Sequence, residues 1–270
     1  MPGKAETGQA VYVYDGSFDG FLCCVYNLYY NNIKPVAVCT TEHLSPSFYQ
    51  NIEIITRRRT AGRVKTAIEG KIYPGCCEHL KKCMLCDIPD KEMHMLRYVE
   101  KGFAAGDKVK NMLTDEDVNA LFKGLRNLDR ERHHYLGIVR FYKAGNVYIS
   151  KIAPKNQILP LIAWHFTNRF RDMRFMIYDE TNRQALAHRG GRYEIIMADN
   201  IILPTLSADE AQLQKLWKGF YDTISIKERE NPKLRMNYLP KHEWAFLPEL
   251  ENEYRKDIRN NKRIKVYKNE

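Results

Sequence analysis

No apolar run in this 270-residue chain is long enough to cross a bilayer, and its opening, MPGKAETGQAVYVYDG, lacks the apolar core of an export signal. Those absences exclude a helical membrane anchor and lead us to expect a cytoplasmic protein with no membrane partner. Glycine (15) and proline (11) are modest in number, and no internal repeat or low-complexity stretch occurs, which argues against a solenoid, a fibrous chain or a long disordered linker. A nucleophile elbow, P-loop, dinucleotide fingerprint and zinc-protease motif are all missing, so no standard reaction class announces itself. The seven cysteines are odd in number and unaccompanied by an export signal, so they read as reduced thiols rather than a disulfide framework.

What is present is a globular composition, 44% hydrophobic, 28% charged and 11% aromatic, enough to bury a real core. Lys and Arg number 43 against 33 for Asp and Glu, a formal net charge of +10. Such an excess favours anionic partners, and nucleic acid comes first because clustered cations gain by releasing counterions from phosphates.

Val11–Tyr14 is a short β-rich run, after which Asp15-Gly16-Ser17 turns the chain into a helix through Tyr30, capped by Ser17 and ended by Asn31-Asn32. Two extended pieces, Val36–Val38 and Ile52–Ile55, flank a loop around Ser45-Pro46. Residues 62–135 carry helical periodicity, clearest from Thr114 onward, where Val118, Leu121, Phe122, Leu125 and Leu128 make one stripe. Gly137 is expected to stop that helix, and Ile138–Tyr142 and Val147–Ile152 then read as a hairpin, followed by a helix from about Gln157 to Phe170 with Pro160 in its first turn. Phe175–Asp179, Gln184–His188 and Arg192–Met197 read as three more strands. Ser207 and Glu210 form a capping box opening a helix whose buried face is expected to be Leu213, Leu216, Trp217, Phe220 and Ile224. Hairpins outnumber crossovers, so the expected fold is α+β: an antiparallel sheet with packed helices and a helical middle region. We expect one unit over residues 1–270, with a helical subdomain at about 62–135 and a hairpin-helix-meander core at about 138–198.

Cys76, Cys77, Cys83 and Cys86 with His79 suggest a metal site at first sight. Adjacent cysteines rarely share one ion, and on a helix Cys83 and Cys86 are simply neighbours, so neither a metal nor another cofactor is expected. Asp15–Gly20 places two glycines at a helix start, yet Asp19 in the first turn would repel a phosphate there, which favours a structural turn. Arg57, Arg58 and Arg59, with Arg63 and Lys65, form the densest early basic cluster. His165 and Arg169 project together from one helix edge. Glu131 and His133 lie two apart, nearly opposite on a helix, and would converge only if the helix had unwound there.

The joint order of Tyr14–Leu22, Leu96-Arg97-Tyr98 with Gly102-Phe103, and Glu131-Arg132-His133 before Gly137–Phe141 resembles one bacterial family. Ile152-Ala153-Pro154, Leu159–Ala163 with His165-Phe166 and Arg169-Phe170, Ile177-Tyr178-Asp179, and Tyr238–Lys241 with Leu247-Pro248-Glu249 continue that resemblance along nearly the whole chain. The family comprises DNA metabolism or repair proteins encoded beside a radical-SAM protein and sometimes joined to a uracil-DNA glycosylase-like domain. The resemblance implies a DNA-repair context, a stand-alone form without the glycosylase part, and a radical-SAM protein as partner that supplies its own chemistry.

Three readings follow. In the first, the protein binds nucleic acid, with Arg57, Arg58, Arg59, Arg63, Arg140, Arg169 and Arg183 on phosphates and Trp164 or Tyr142 packed nearby. In the second it is an enzyme on damaged DNA, with His165 or His133 carrying a proton and Asp179 or Glu131 assisting. In the third it is a protein-only adaptor for the radical-SAM partner.

Overall fold

A computed structural model describes residues 9–30, 33–44, 48–199, 201, 203–204 and 206–266, so the helix end expected at Asn31-Asn32 and the Ser45-Pro46 loop lie outside the described residues. Contacts divide the chain into Met1–Asp129 and Arg130–Glu270.

The first unit begins with β1 (Ala10–Tyr14), in which every residue is buried. A continuous apolar run of this kind suits a strand covered on both faces. Asp15 accepts from the Ser17 amide and hydroxyl, and Ser17 Oγ in turn accepts from Gly20 N at 2.9 Å, which starts α1 (Phe18–Tyr30). Because α1 separates β1 from β2 (Pro35–Thr40), the two strands run parallel, and β3 (Gln50–Glu53) also joins β1 parallel, giving the order β2-β1-β3. The antiparallel expectation therefore does not extend to this sheet: a helix between two strands returns the chain to the starting edge.

Four helices follow: α2 (Arg58–Lys71), α3 (Cys76–Met84), α4 (Lys91–Ala105) and α5 (Glu116–Ile138), the last running across the division between the units. Their buried faces, with Ile68, Leu80, Leu96, Val99 and Leu121 among them, form one core with α1 and β1. The cap of α5 is Asp115, whose carboxylate accepts from Asp117 N and Val118 N.

In the second unit α5 continues through Gly137, so Ile138 ends a helix rather than opening a strand. The hairpin is shorter than expected, β4 (Tyr142–Ala144) against β5 (Val147–Ile152), with Gly145 at φ 60° in the turn. Helix α6 (Leu159–Arg169) crosses over to β6 (Phe175–Asp179), parallel to β5; β7 (Gln184–Arg189) and β8 (Arg192–Met197) complete an otherwise antiparallel sheet ordered β4-β5-β6-β7-β8. Gly190 and Gly191, at φ 58° and 77°, make the two-residue turn between β7 and β8, a conformation that matches strand twist but suits few other residues.

Helix α7 (Ala208–Ile224) departs most from expectation. Leu213, Leu216, Trp217, Phe220 and Ile224 are 42–64% exposed rather than buried. An apolar stripe predicts that a helix is amphipathic; it does not supply a surface to cover the stripe. Only half of the capping box forms. Ser207 Oγ accepts from Glu210 N, while the Glu210 carboxylate accepts from Lys143 N and Gln214 Nε2. The short α8 (Pro232–Tyr238) and α9 (Glu251–Val266) flank a small cluster of Trp244, Leu247 and Leu250.

Candidate nucleic-acid interface

The candidate site is built at one end of the five-stranded sheet. Antiparallel register places Phe175 opposite His188 and Arg189 opposite Arg192, so Arg174, the residue before Phe175, falls in line with both. Strands lie about 4.8 Å apart, so these three arginines are carried across roughly 10 Å by three neighbouring strands. Two more, Arg169 and Arg171, arrive from the end of α6 and the link into β6.

That link is held firmly. Met173 N donates to Phe170 O, Tyr148 N donates to Arg174 O at 2.9 Å, and His188 Nδ1 donates to Met173 O at 2.9 Å. A carbonyl can only accept, so the His188 proton sits on Nδ1. The ring also stacks on Phe175 at 4.7 Å; Phe141 meets Phe166, Phe170 and Phe175 edge to face, and Phe166 and Phe170 stack on one another. A buried aromatic base thus fixes the backbone from which the arginines project.

Arg169, Arg171, Arg174, Arg189 and Arg192 are all exposed, and among the described residues none of the five lies within ion-pair distance of a carboxylate. Asp172 and Glu194 are the acidic residues of this region. Trp164, 72% exposed, stands earlier on α6, and Tyr193, 47% exposed, follows Arg192. Of these arginines only Arg169 was singled out from sequence. The others carry no motif of their own; the signal was that they fall in two short groups, 169–174 and 189–192, at strand and helix ends that the meander brings side by side.

The remaining expected positions fare differently. Arg57 precedes α2, and Arg58, Arg59 and Arg63 lie on it, all exposed. Arg140 is taken up inside its own unit, donating to Gly137 O, Ile138 O and the buried Glu249 carboxylate, each at 3.3 Å. Arg183 adopts φ 51° in the turn after β6 and stands 3.8 Å from Asp199.

Among the expected catalytic residues, Asp179 is fully buried and its carboxylate accepts from Asn182 N at 3.0 Å and Asn182 Nδ2 at 2.8 Å. Burial pushes its pKa up to about 6, with a smaller contribution from Glu131, against the hydrogen bonds that favour the charged form. Glu131 accepts from Lys155 N, Asn156 N and Asn156 Nδ2 at 2.8, 2.9 and 2.6 Å. Asn182 Nδ2 also reaches Pro154 O and Asn156 O, so Glu131, Asn156, Asn182 and Asp179 form one network that pins two turns. With α5 intact at this point, Glu131 and His133 do not converge: Glu131 faces residues 155–156 and His133 is exposed. His134 pairs with the buried Glu243 at 2.6 Å. His165 contacts the Phe166 ring edge to face, and no hydrogen bond joins it to Asp179.

In the first unit, burial drives the thiols of Cys76, Cys77 and Cys86 up to about 11, 12 and 12, and that of Cys83 higher still. Cys77 and Cys86 donate to Lys65 O and Lys82 O, and His79 Nδ1 meets Tyr73 Oη at 2.8 Å. All four thiols are buried and pack within the helical layer of the first unit. The Gly16–Gly20 turn uses its own Asp15 and Ser17 to satisfy the local amides, which leaves a phosphate little to bind there.

Fold and site together define a basic α+β protein whose candidate site is an arginine-bearing sheet end set on an aromatic base. Residues 89–249 match the family model described as a domain of unknown function, DUF4130, and since that span exceeds half of the chain, the protein belongs to this family. No curated protein matches the chain. The family span takes in the Glu131–Asp179 network and all five arginines of the sheet end, and it leaves α1, α2 and α3 outside.

Proposed function

We propose that this protein binds DNA through the arginine end of its five-stranded sheet and serves DNA metabolism or repair beside a radical-SAM partner. The observation that carries the reading is the alignment of Arg174, Arg189 and Arg192 across three neighbouring strands, with Arg169 and Arg171 just before them in the chain, and none of the five in an ion pair among the described residues. Unpaired guanidinium groups on a rigid backbone suit phosphate oxygens, which they meet in bidentate fashion, and exposed Trp164 and Tyr193 provide faces for stacking. The repair context, the radical-SAM partner and the kinship with glycosylase-fused proteins are what the family resemblance implies.

The test is equilibrium binding of labelled duplex and single-stranded DNA at low salt, with the wild-type protein and with Arg174→Ala/Arg189→Ala/Arg192→Ala. Wild-type affinity with at least about tenfold loss in the triple variant is expected. Wild-type protein with no affinity for either form defeats the reading. The catalytic alternative has less support, because no hydrogen bond joins His165 to Asp179 and Asp179 is buried. The adaptor has one observation in its favour, the uncovered apolar stripe of α7; co-purification with a radical-SAM protein in the absence of any DNA affinity would select it.

A further inference from the structure

Helices α1, α2 and α4 enclose an open groove of about 440 Å³ in the first unit. One wall is aromatic. Tyr26 and Tyr30 stack at 5.2 Å and 16°, while Tyr29 meets Phe103 edge to face at 5.5 Å. Tyr29 and Tyr30 are 53% and 74% exposed, an arrangement that hydrophobic burial alone does not reward.

The facing wall is basic. Arg63 and Lys71 line it, eight residues apart on α2, with Ala67 between them. One turn before Arg63, Arg59 adds a third exposed cation just beyond the groove, so the row of cations along α2 spans roughly 18 Å. Among the described residues neither Arg63 nor Lys71 forms an ion pair. Glu69, the carboxylate on this helix, is instead taken up by Gly75 N and Cys77 N at 2.6 and 2.8 Å. Glu100, one turn before Phe103, is the acidic neighbour that Tyr29 feels, and no carboxylate lines the groove itself.

Exposed aromatic faces opposite a row of unpaired cations are complementary to one ligand chemistry, a planar base joined to a phosphate. A cationic ligand would be repelled by Arg63 and Lys71, and an apolar one would leave both cations desolvated without a partner. A duplex offers its bases only at their edges, so it cannot present a face to Tyr29 or Tyr30. We infer that this groove binds unpaired nucleotides of a single strand, stacking bases on the Tyr26, Tyr29 and Tyr30 wall while the phosphates follow Arg59, Arg63 and Lys71. This site is separate in sequence from the arginines of the sheet end and does not depend on them.

The test uses the full chain, a labelled oligo-dT of about 15 nucleotides and an abasic strand of the same length. The wild-type protein should bind oligo-dT about tenfold or more tightly than the abasic strand, because stacking requires the base. In Tyr29→Ala/Tyr30→Ala, which changes no charge and touches exposed positions, oligo-dT affinity should fall to that of the abasic strand. Arg63→Ala/Lys71→Ala should weaken both strands. Circular dichroism confirms that each variant is folded, and 2-aminopurine placed within the strand should be quenched by the wild-type protein and not by the tyrosine variant.

Equal wild-type affinity for the two strands overturns the inference, as does a folded tyrosine variant that binds oligo-dT normally. The Arg174→Ala/Arg189→Ala/Arg192→Ala protein should keep the base-dependent difference. Salt-dependent duplex binding with no base-dependent binding of single strands would therefore remove the groove and leave the sheet-end reading standing.

Discussion

Replacing Glu131 by alanine should destabilise the second unit by about 2–4 kcal/mol, through three donors that its carboxylate holds. Lys155 N is exposed and regains water when its acceptor goes. Asn156 is only 6% exposed, so its backbone amide and side-chain Nδ2 lose an acceptor where water has little access. A charge-assisted hydrogen bond contributes about 1.5–3 kcal/mol, and a buried donor left unmade costs a comparable amount, which sets the range for two such donors once partial relaxation is allowed. For a unit of this size each kcal/mol lowers Tm by about 3–5 °C, so a fall of about 6–20 °C is expected.

All three tryptophans, Trp164, Trp217 and Trp244, lie in this unit, so a thermal melt followed by tryptophan fluorescence reports on it selectively. Glu131→Gln is the informative companion. Its carbonyl oxygen can keep both Asn156 donors and sacrifice the exposed Lys155 amide, so less than half of the alanine effect should appear. A melt of the alanine variant within about 1 °C of wild type, or equal losses in the two variants, would refute the acceptor argument.

Asp179 should titrate near pH 6 when its carboxyl carbon is followed by NMR. Because the folded pKa lies above the ordinary 3.8, its contribution to stability is complete below that value and is lost as pH rises through 6; the stability difference from Asp179→Asn should therefore move by about 2–3 kcal/mol in the variant's favour between about pH 4 and pH 7. Asp117 behaves oppositely. Burial works to raise its pKa, but hydrogen bonds from Lys101 and His94 at 2.6 and 2.7 Å, with Arg97, hold it below 3.8. Its stabilisation is present above 3.8 and fades as pH falls through the folded value, so Lys101→Met should shift acid unfolding of the first unit to higher pH. Finally, thiol titration of the native protein should modify Cys39 first, since Cys23, Cys24, Cys76, Cys77, Cys83 and Cys86 are buried; fast reaction of Cys83 or Cys86 would contradict their packing role.

Much of the fold was legible because its signals are local. Ser17 and Pro160 mark helix starts, Gly190-Gly191 marks a hairpin, and the strands Phe175–Asp179 and Arg192–Met197 are set off by the turn residues beside them. Parallel pairing in the first sheet was harder to see, since an apolar run such as Ala10–Tyr14 does not say which neighbour it will meet or in which direction. The α7 stripe shows the same limit from the other side: periodicity records which residues could be buried, and tertiary structure decides whether they are.

The site followed this pattern. Arg140 looked available on a supposed strand, but it lies between a helix and a strand and is consumed by Glu249 and two carbonyls. Arg174, Arg189 and Arg192 carry no local motif, and only the register of β6, β7 and β8 makes them neighbours. Glu131 and Asp179 were expected to assist a proton-carrying His133 or His165. Through Asn156 and Asn182 the two carboxylates clasp two turns, and no hydrogen bond joins Asp179 to His165 or Glu131 to His133.

The most direct test of the central claim is the dependence of duplex affinity on potassium chloride concentration, measured for the wild-type chain and for the protein lacking the Arg174, Arg189 and Arg192 guanidinium groups. Each phosphate contact contributes about 0.9 to the slope of log K against log salt, so the slope should become shallower by about two to three. Parallel lines of equal affinity would show that these arginines meet no phosphate.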